Sequence, residues 1–251
     1  GDVLSYKPNS IILSFKDQKS IRSAKQTFSG RVVRLEKDIY DELIIVGKNQ
    51  KLIIEPGKII RFGPKGGLLI KGVIDARGTK NNPIVLTAAE KDWIGISIIN
   101  NLEPDKIHNL ENIIFSKAIG GTHYGYVQMG GLSVARATVN IKDLLIKDID
   151  AEDAINFYHS RINANGLNVK NTFSDALDSD WSFVQLKNSN FDNCGGDCID
   201  LNNSFFKIEN ININQPSDKA FSLGESSTAE LYNIRSTGGN IGIAIKDQSL
   251  L

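Results

Sequence analysis

The feature that most constrains the fold is an apolar pattern that recurs every 22 residues in the second half of the chain. Five segments carry this pattern, beginning at Asp153, Asp175, Asp197, Lys219 and Ile241. A second apolar series has the same interval and runs through Ile162–Val169, Val184–Phe191 and Phe206–Ile213. The segments are short, rich in Ile, Val and Phe, and joined by Asn, Asp, Gly and Ser. This composition predicts a repeat of strands and turns rather than helices.

The length of the repeat favours a right-handed parallel β-helix, an all-β solenoid with about 22 residues per coil. Ankyrin and tetratricopeptide units are longer, and the Leu-x-x-Leu-x-Leu pattern of leucine-rich repeats is absent. We expect the solenoid over residues 45–251, with a loop excursion near 100–130, and a cap over residues 1–44 with a short helix at Lys19–Phe28. The coil at Ile241–Lys246 would then be uncovered, which predicts flanking domains or end-to-end self-association.

Charge and cysteine content exclude several classes of function. Lys plus Arg equals Asp plus Glu at 29 each, which gives no net charge to attract nucleic acid or an anionic membrane. No apolar segment approaches the roughly 18 residues of a membrane span. Cys194 and Cys198 flank a Gly-Gly-Asp segment that could bend into a local disulfide, but the expectation is that they are unpaired, because a lone C-x-x-x-C fits no zinc or redox framework.

Strand alternation places a group of acidic residues on the outer surface. If Leu177 and Ile199 point inward, Asp178, Asp180 and Asp200 point outward, and residues 22 apart should lie about 5 Å from each other. Stacked carboxylates raise a pKa, bind a cation or recruit a basic side chain. The predicted catalytic residues are therefore Asp178, Asp200, Asp180, Asp175, Asp197 and Lys219. The alternative is that these acids only solvate the strands or hydrogen-bond to the turns.

The surrounding residues suit a sugar polymer. Aromatic faces with polar tips, amides, hydroxyls and amines can stack on sugar rings and hydrogen-bond to their hydroxyls. The predicted substrate-binding residues are Tyr158, His159, Trp181, Asn156, Asn202, Ser222 and Lys246. No cofactor is expected, although calcium could bind the carboxylates. The three histidines, His108, His123 and His159, show no zinc-ligand spacing. The segment Gly120–Tyr126 is a second candidate contact surface.

Over residues 45–251 the chain resembles the bacterial right-handed parallel β-helix repeat proteins, which share their architecture with pectate lyases, polygalacturonases and alginate epimerases. The resemblance lies in Ser174–Asp180, Gly196–Leu201, Asp218–Glu225 and Gly242–Asp247. It implies a secreted, periplasmic or cell-surface protein that acts on a polysaccharide.

The resemblance does not extend to the complete catalytic motifs of those enzymes. Asp175, Asp197 and Lys246 match polygalacturonase positions, but the other motif residues of that family are replaced by Gly196, Lys219 and Ala244. The arginine base of pectate lyases and the D-P-H segment of alginate epimerases are not found. The resemblance therefore implies the location of the site and not the reaction.

Two functions follow as hypotheses. The first is a surface module that binds a polysaccharide and acts on it as a lyase or glycoside hydrolase, through the face that contains Asp178, Asp180 and Asp200. The second is a structural or adhesive shaft without catalytic activity.

Overall fold

The computed structural model describes residues 30–103, 106–123 and 126–251, and within them the chain forms 23 strands and no helix. The first nine strands are β1 (Arg31–Arg34), β2 (Ile39–Tyr40), β3 (Leu43–Val46), β4 (Gln50–Ile54), β5 (Ile59–Phe62), β6 (Gly67–Ile70), β7 (Val73–Arg77), β8 (Ile84–Ala88) and β9 (Gly95–Ile99). The next seven are β10 (Ile107–Ser116), β11 (Gly121–His123), β12 (Tyr126–Gln128), β13 (Gly130–Ala135), β14 (Thr138–Ile149), β15 (Asp153–Tyr158) and β16 (Arg161–Thr172). The last seven are β17 (Asp175–Asp180), β18 (Phe183–Cys194), β19 (Ile199–Asn202), β20 (Phe205–Pro216), β21 (Lys219–Gly224), β22 (Thr228–Thr237) and β23 (Ile241–Ile245).

These strands wind into a parallel β-solenoid, which confirms the predicted fold class. A nine-stranded sheet, called the short-strand sheet below, runs in the order β3-β6-β9-β13-β15-β17-β19-β21-β23. A twelve-stranded sheet closes the other sides, and β10 pairs with both β7 and β8 within it. From β10 onward, one long strand therefore replaces the two shorter strands of each earlier coil. Neighbouring coils pair 22 or 23 residues apart, as in Asp153↔Asp175 and Ser133↔Asn156.

Apolar side chains from successive coils stack inside the solenoid. Ile155, Leu177, Ile199 and Phe221 occupy one fully buried row, as strand alternation predicts. In the last coil, Ile243 belongs to the same row but is 41% exposed, because no further coil of the described chain covers it. The predicted uncovered coil is therefore present. None of the described residues forms a helix that could span a membrane.

Asparagine ladders hold the turns of adjacent coils together. Asn171, Asn193 and Asn210 have φ values of 55°, 56° and 58°, in the left-handed region that Asn tolerates better than most residues. The Asn193 amide donates to Asn171 Oδ1 at 3.1 Å, and the Asn210 amide donates to Asn188 Oδ1 at 3.0 Å. The structural role predicted for these residues is confirmed.

The boundaries of the solenoid differ in part from the prediction. Strand β1 already pairs with β4, so the ladder begins before residue 45. Strand β10 falls inside the predicted excursion at 100–130 but belongs to the twelve-stranded sheet, which leaves the antiparallel β11–β12 hairpin as the main departure. The predicted helix at Lys19–Phe28 and Tyr124 lie outside the described residues.

The two cysteines form a disulfide, which corrects the expectation that they are unpaired. The Cα atoms of Cys194 and Cys198 are 5.4 Å apart, within the range that a disulfide requires. Both residues are fully buried. Gly195 makes the tight turn between them feasible, because a Cβ atom there would lie 2.0 Å from the Phe173 carbonyl oxygen. The turn leads directly into β19.

Candidate functional site

Three rows of outward side chains run across the short-strand sheet. The first row contains Asp153, Asp175, Asp197 and Lys219, the second Asn156, Asp178, Asp200 and Ser222, and the third Tyr158, Asp180, Asn202 and Gly224. Asp178 pairs in register with Asp200, and Asp180 with Asn202. The predicted alignment of Asp178 over Asp200 is therefore confirmed.

The acidic rows form the floor of a cleft of about 630 Å³. Of the residues predicted to form the site, the cleft is lined by Asn156, Tyr158, Asp175, Asp178, Asp180 and Asp200. Its other walls include Met129, which follows the β11–β12 hairpin, and Arg136, which follows β13. The hairpin excursion therefore helps to turn a flat sheet face into a concave site, which is the form that ligand sites usually take.

Asp178 is the most perturbed acid in the cleft. It is half-buried and accepts a hydrogen bond from the Asn156 amide at 2.8 Å. Burial, followed by the charges of Asp153, Asp180 and Asp200, raises the pKa of Asp178 to about 8. This carboxyl group therefore carries a proton at neutral pH, which makes it a candidate proton donor.

Two further acids of the first row also hold protons strongly. Burial and the charge of Asp175 raise the pKa of Asp153 to about 7, although the Asn156 amide donates to it at 3.2 Å. Burial also raises the pKa of Asp175 to about 6, against the effect of a hydrogen bond from the Asp197 backbone N–H at 2.8 Å. Gly196 is required here, because a Cβ atom at that position would lie 2.1 Å from Asp175 Oδ1.

The next coils of the first row contain an ion-pair network. Lys219 Nζ lies 3.2 and 3.3 Å from the two carboxylate oxygens of Asp197 and also donates to Asp218. The Asp218 and Asp197 carboxylates raise the pKa of Lys219. Asp197 and Lys219, both predicted to be catalytic, thus bind each other. Neither is among the described residues that line the cleft.

Three carboxylates are close enough to hold a metal ion. One oxygen atom each from Asp175, Asp197 and Asp200 lies within 4.8 Å of the others. Asp200 Oδ1 is buried and has no hydrogen-bond partner among the described residues. Carboxylate oxygens are the ligands that Ca²⁺ prefers, so the chemistry of these donors fits a divalent cation.

An exposed aromatic group borders the acidic rows. Tyr158 and Trp181 are 40% and 45% exposed. The rings of His159 and Trp181 stack at 5.3 Å, and Tyr158 meets Trp181 edge-on at 5.6 Å. His159 and Trp181 both have a φ of 47°, which turns their side chains out of the strand at the same corner of successive coils. The structure thus brings these three predicted binding residues together.

The remaining predicted binding residues lie apart from the cleft. Asn202 is half-buried in the third row, and Lys246 is exposed beyond β23. Ser222 lies in the outward register, next to Asp200, but is completely buried. The expectation that its hydroxyl group is on the open surface is therefore wrong.

Sequence reasoning missed Arg136 and Glu152 in the cleft and gave Asp153 no catalytic role. The missed signal is a 23-residue interval: Ser133 pairs with Asn156, and Ala135 with Tyr158. Three residues separate Ile149 from Asp153, but only two separate Thr172 from Asp175. This extra residue shifts the upstream coil out of a strict 22-residue alignment.

Comparison of the chain with protein-family models, with curated proteins and with solved structures finds no match. The functional argument therefore depends on the chemistry of the cleft alone.

Proposed function

We propose that the acidic cleft binds a glycan chain and hydrolyses its glycosidic bonds, with Asp178 as the general acid and Asp200 as the partner carboxylate. The observation that supports this most is the pairing of a carboxyl group with a pKa of about 8 with a second carboxylate one coil away. Glycoside hydrolases require such a pair, in which one group is protonated and the other ionised.

The proposed reaction has two steps. The Asp178 carboxyl group donates its proton to the glycosidic oxygen as the bond from that oxygen to the anomeric carbon breaks, and the Asp200 carboxylate bonds to this carbon. Water then displaces Asp200, and the proton of the water returns to Asp178. Adjacent strands are about 4.8 Å apart, which favours the retaining geometry, in which the carboxyl groups are about 5 Å apart.

The aromatic residues beside the cleft would bind the sugar rings. Tyr158, His159 and Trp181 present flat apolar surfaces that can stack on a pyranose, and Asn156 can hydrogen-bond to hydroxyl groups. Because hydrogen-bond donors and stacking surfaces lie on successive coils, a polymer is a better fit than a single sugar.

A lyase that acts on an acidic sugar with the help of a cation is a second candidate for the same cleft. The proximity of the Asp175, Asp197 and Asp200 oxygens favours it, since a Ca²⁺ ion held there would neutralise the acids and attract a uronate. A chelator would abolish this activity, and the unsaturated products would absorb in the ultraviolet. Hydrolysis predicts neither result.

The disulfide supports a location outside the reducing cytosol. Disulfides such as Cys194–Cys198 persist in oxidising environments. We therefore propose that the protein is secreted, periplasmic or on the cell surface, where polysaccharides are accessible.

The experiment is a screen for products from neutral, acidic and amino-bearing glycans. We expect one class to be cleaved, and we expect Asp178→Asn and Asp200→Asn each to reduce the rate about 100-fold or more while glycan binding is retained. Asp148→Asn is the matched control, because Asp148 lies on a turn of the twelve-stranded side and Asn tolerates its φ of 55°. Full activity in Asp178→Asn would contradict the proposal. If no glycan is bound or cleaved, the structural shaft with its asparagine ladders is the better explanation.

A further inference from the structure

The charge of the cleft is strongly unbalanced. One guanidinium group, from Arg136, lies among six carboxyl groups, which belong to Glu152, Asp153, Asp175, Asp178, Asp180 and Asp200. These acids come from three successive coils and one turn, so they surround the cleft floor instead of lying along one edge. A ligand that enters this space meets an excess of negative charge.

The two lysines that could attract an anionic sugar do not compensate for this charge. Lys219 is bound to Asp197 and Asp218. Lys246 is exposed beyond the last strand, and neither lysine lines the cleft in the described structure. A uronate chain would therefore bring further negative charge into a cleft that already has an excess.

The protein leaves this repulsion unrelieved, and protonation is its only internal remedy. Burial and neighbouring carboxylates hold the pKa of Asp178 at about 8 and that of Asp153 at about 7. Burial and the Glu225 and Asp200 carboxylates also raise the pKa of Asp180. A cationic ligand would stabilise the ionised forms.

Unpaired buried oxygens give an independent indication that a hydrogen-bond donor is missing. Asp200 Oδ1 and Ser222 Oγ are buried and have no partner within the described chain. Ser222 is fully buried and is the register partner of Asp200 in the outward second row. Buried polar atoms normally have a partner. Both oxygens lie on the side of the sheet that forms the cleft floor, where an ammonium group would supply up to three donors.

We propose that the ligand of this cleft is a glycan with free, protonated amino groups, a hexosamine polymer rather than a uronate. This inference rests on the proposed function for its assignment of the cleft to carbohydrate. The ammonium group would bind between Asp175, Asp178 and Asp200, and the ring would stack on Tyr158 and Trp181. A carboxylate pair with an aromatic surface beside it suits an aminosugar because both the charge and the apolar ring face are bound.

Calorimetric titration with three tetrasaccharides tests the proposal: a β-1,4-linked glucosamine tetramer, its fully N-acetylated counterpart and a galacturonic acid tetramer. We expect the glucosamine tetramer to bind at least about tenfold more tightly than the N-acetylated one. Its affinity should fall severalfold between about 0.05 and 0.5 M salt. The uronate should not bind. Equal or tighter binding of the N-acetylated tetramer, or of the uronate with or without Ca²⁺, would overturn the inference.

Variants and a peptide control define the basis of the selectivity. Asp175→Asn should remove most of the preference for glucosamine, while Asp148→Asn should keep it. The amide retains the shape of the carboxylate and removes repulsion, so we expect the variant to fold, and circular dichroism checks this. Oligolysine should bind more weakly than the glucosamine tetramer. Equal binding of the peptide would show that charge alone is recognised and would overturn the carbohydrate assignment.

The outcomes separate this inference from the proposed hydrolysis. If N-acetylated chains are bound best and are cleaved in an Asp178-dependent manner, hydrolysis stands and the preference for amines is refuted. If glucosamine chains bind tightly but are never cleaved, the preference for amines stands and hydrolysis is refuted. If no glycan binds, both are refuted.

Discussion

Replacing Asp178 with Asn should make the protein more stable at neutral pH. In the folded chain the pKa of this carboxyl group is about 8, against an ordinary value of 3.8. The unfolded chain ionises freely above about pH 4, whereas the folded chain must keep the proton or bear a poorly solvated charge. Since the folded pKa is raised, the stabilising contribution of the group is complete below pH 3.8 and is lost progressively as the pH rises towards 8.

The size of the effect follows from the difference in pKa. At pH 7 the folded carboxyl group holds its proton about three pKa units above its ordinary value, and each unit corresponds to about 1.36 kcal/mol. Partial exposure and interactions with neighbouring acids reduce this figure, so we expect Asp178→Asn to gain about 2–4 kcal/mol at pH 7. The Asn156 amide, which now donates to Asp178 at 2.8 Å, can donate equally well to the new side-chain carbonyl.

Thermal unfolding followed by circular dichroism between pH 4 and pH 8 measures this gain. For a chain of this size, the expected increase in Tm at pH 7 is roughly 5–15 °C. The increase should nearly disappear at pH 4, and Asp148→Asn should show no comparable change. A variant that is no more stable than the original protein at pH 7, or whose gain does not depend on pH, would refute the assignment of a protonated Asp178.

Three further predictions concern other parts of the chain. Burial and the Lys106 charge lower the pKa of His108 to about 4, so stability should fall by about 3 kcal/mol as the pH drops from 6.5 to 4; acid titration of His108→Gln should lack this loss. Reduction of Cys194–Cys198, which closes only a short loop, should lower the unfolding free energy by about 2 kcal/mol in chemical denaturation. Gly196→Ala should reduce glycan turnover at least about tenfold, because its Cβ atom would lie 2.1 Å from Asp175 Oδ1; unchanged kinetics would contradict the role of this turn.

The sequence predicts the ladder of coils well because strand pairing converts a fixed interval into a fixed spatial position. Asp153, Asp175 and Asp197 are 22 residues apart, and each strand begins above the next. The alternation of side chains within a strand then separates Ile199 from Asp200 correctly. Both rules are local, so they need no knowledge of the remaining chain.

The cleft itself could not be predicted by these rules. Its walls come from Met129 and Arg136, which follow segments outside the regular repeat, and the interval that would have aligned Arg136 with His159 is 23 residues. The burial of Ser222 was also missed, because alternation gives the side to which a residue points and not what covers it. The disulfide depends on the backbone path through Gly195, which the cysteine spacing alone leaves open.

The near-constant pairing interval also sets a rule for lengthening the molecule. A duplicated segment of 22 residues, inserted at the turn between β17 and β18, would add one complete winding and leave the inward and outward positions of every downstream strand unchanged. An insertion of a single residue within a strand would instead exchange the two faces from that point to the end of the strand. The architecture can therefore change its reach in whole windings, each of which would extend the acidic floor by one strand spacing, about 4.8 Å.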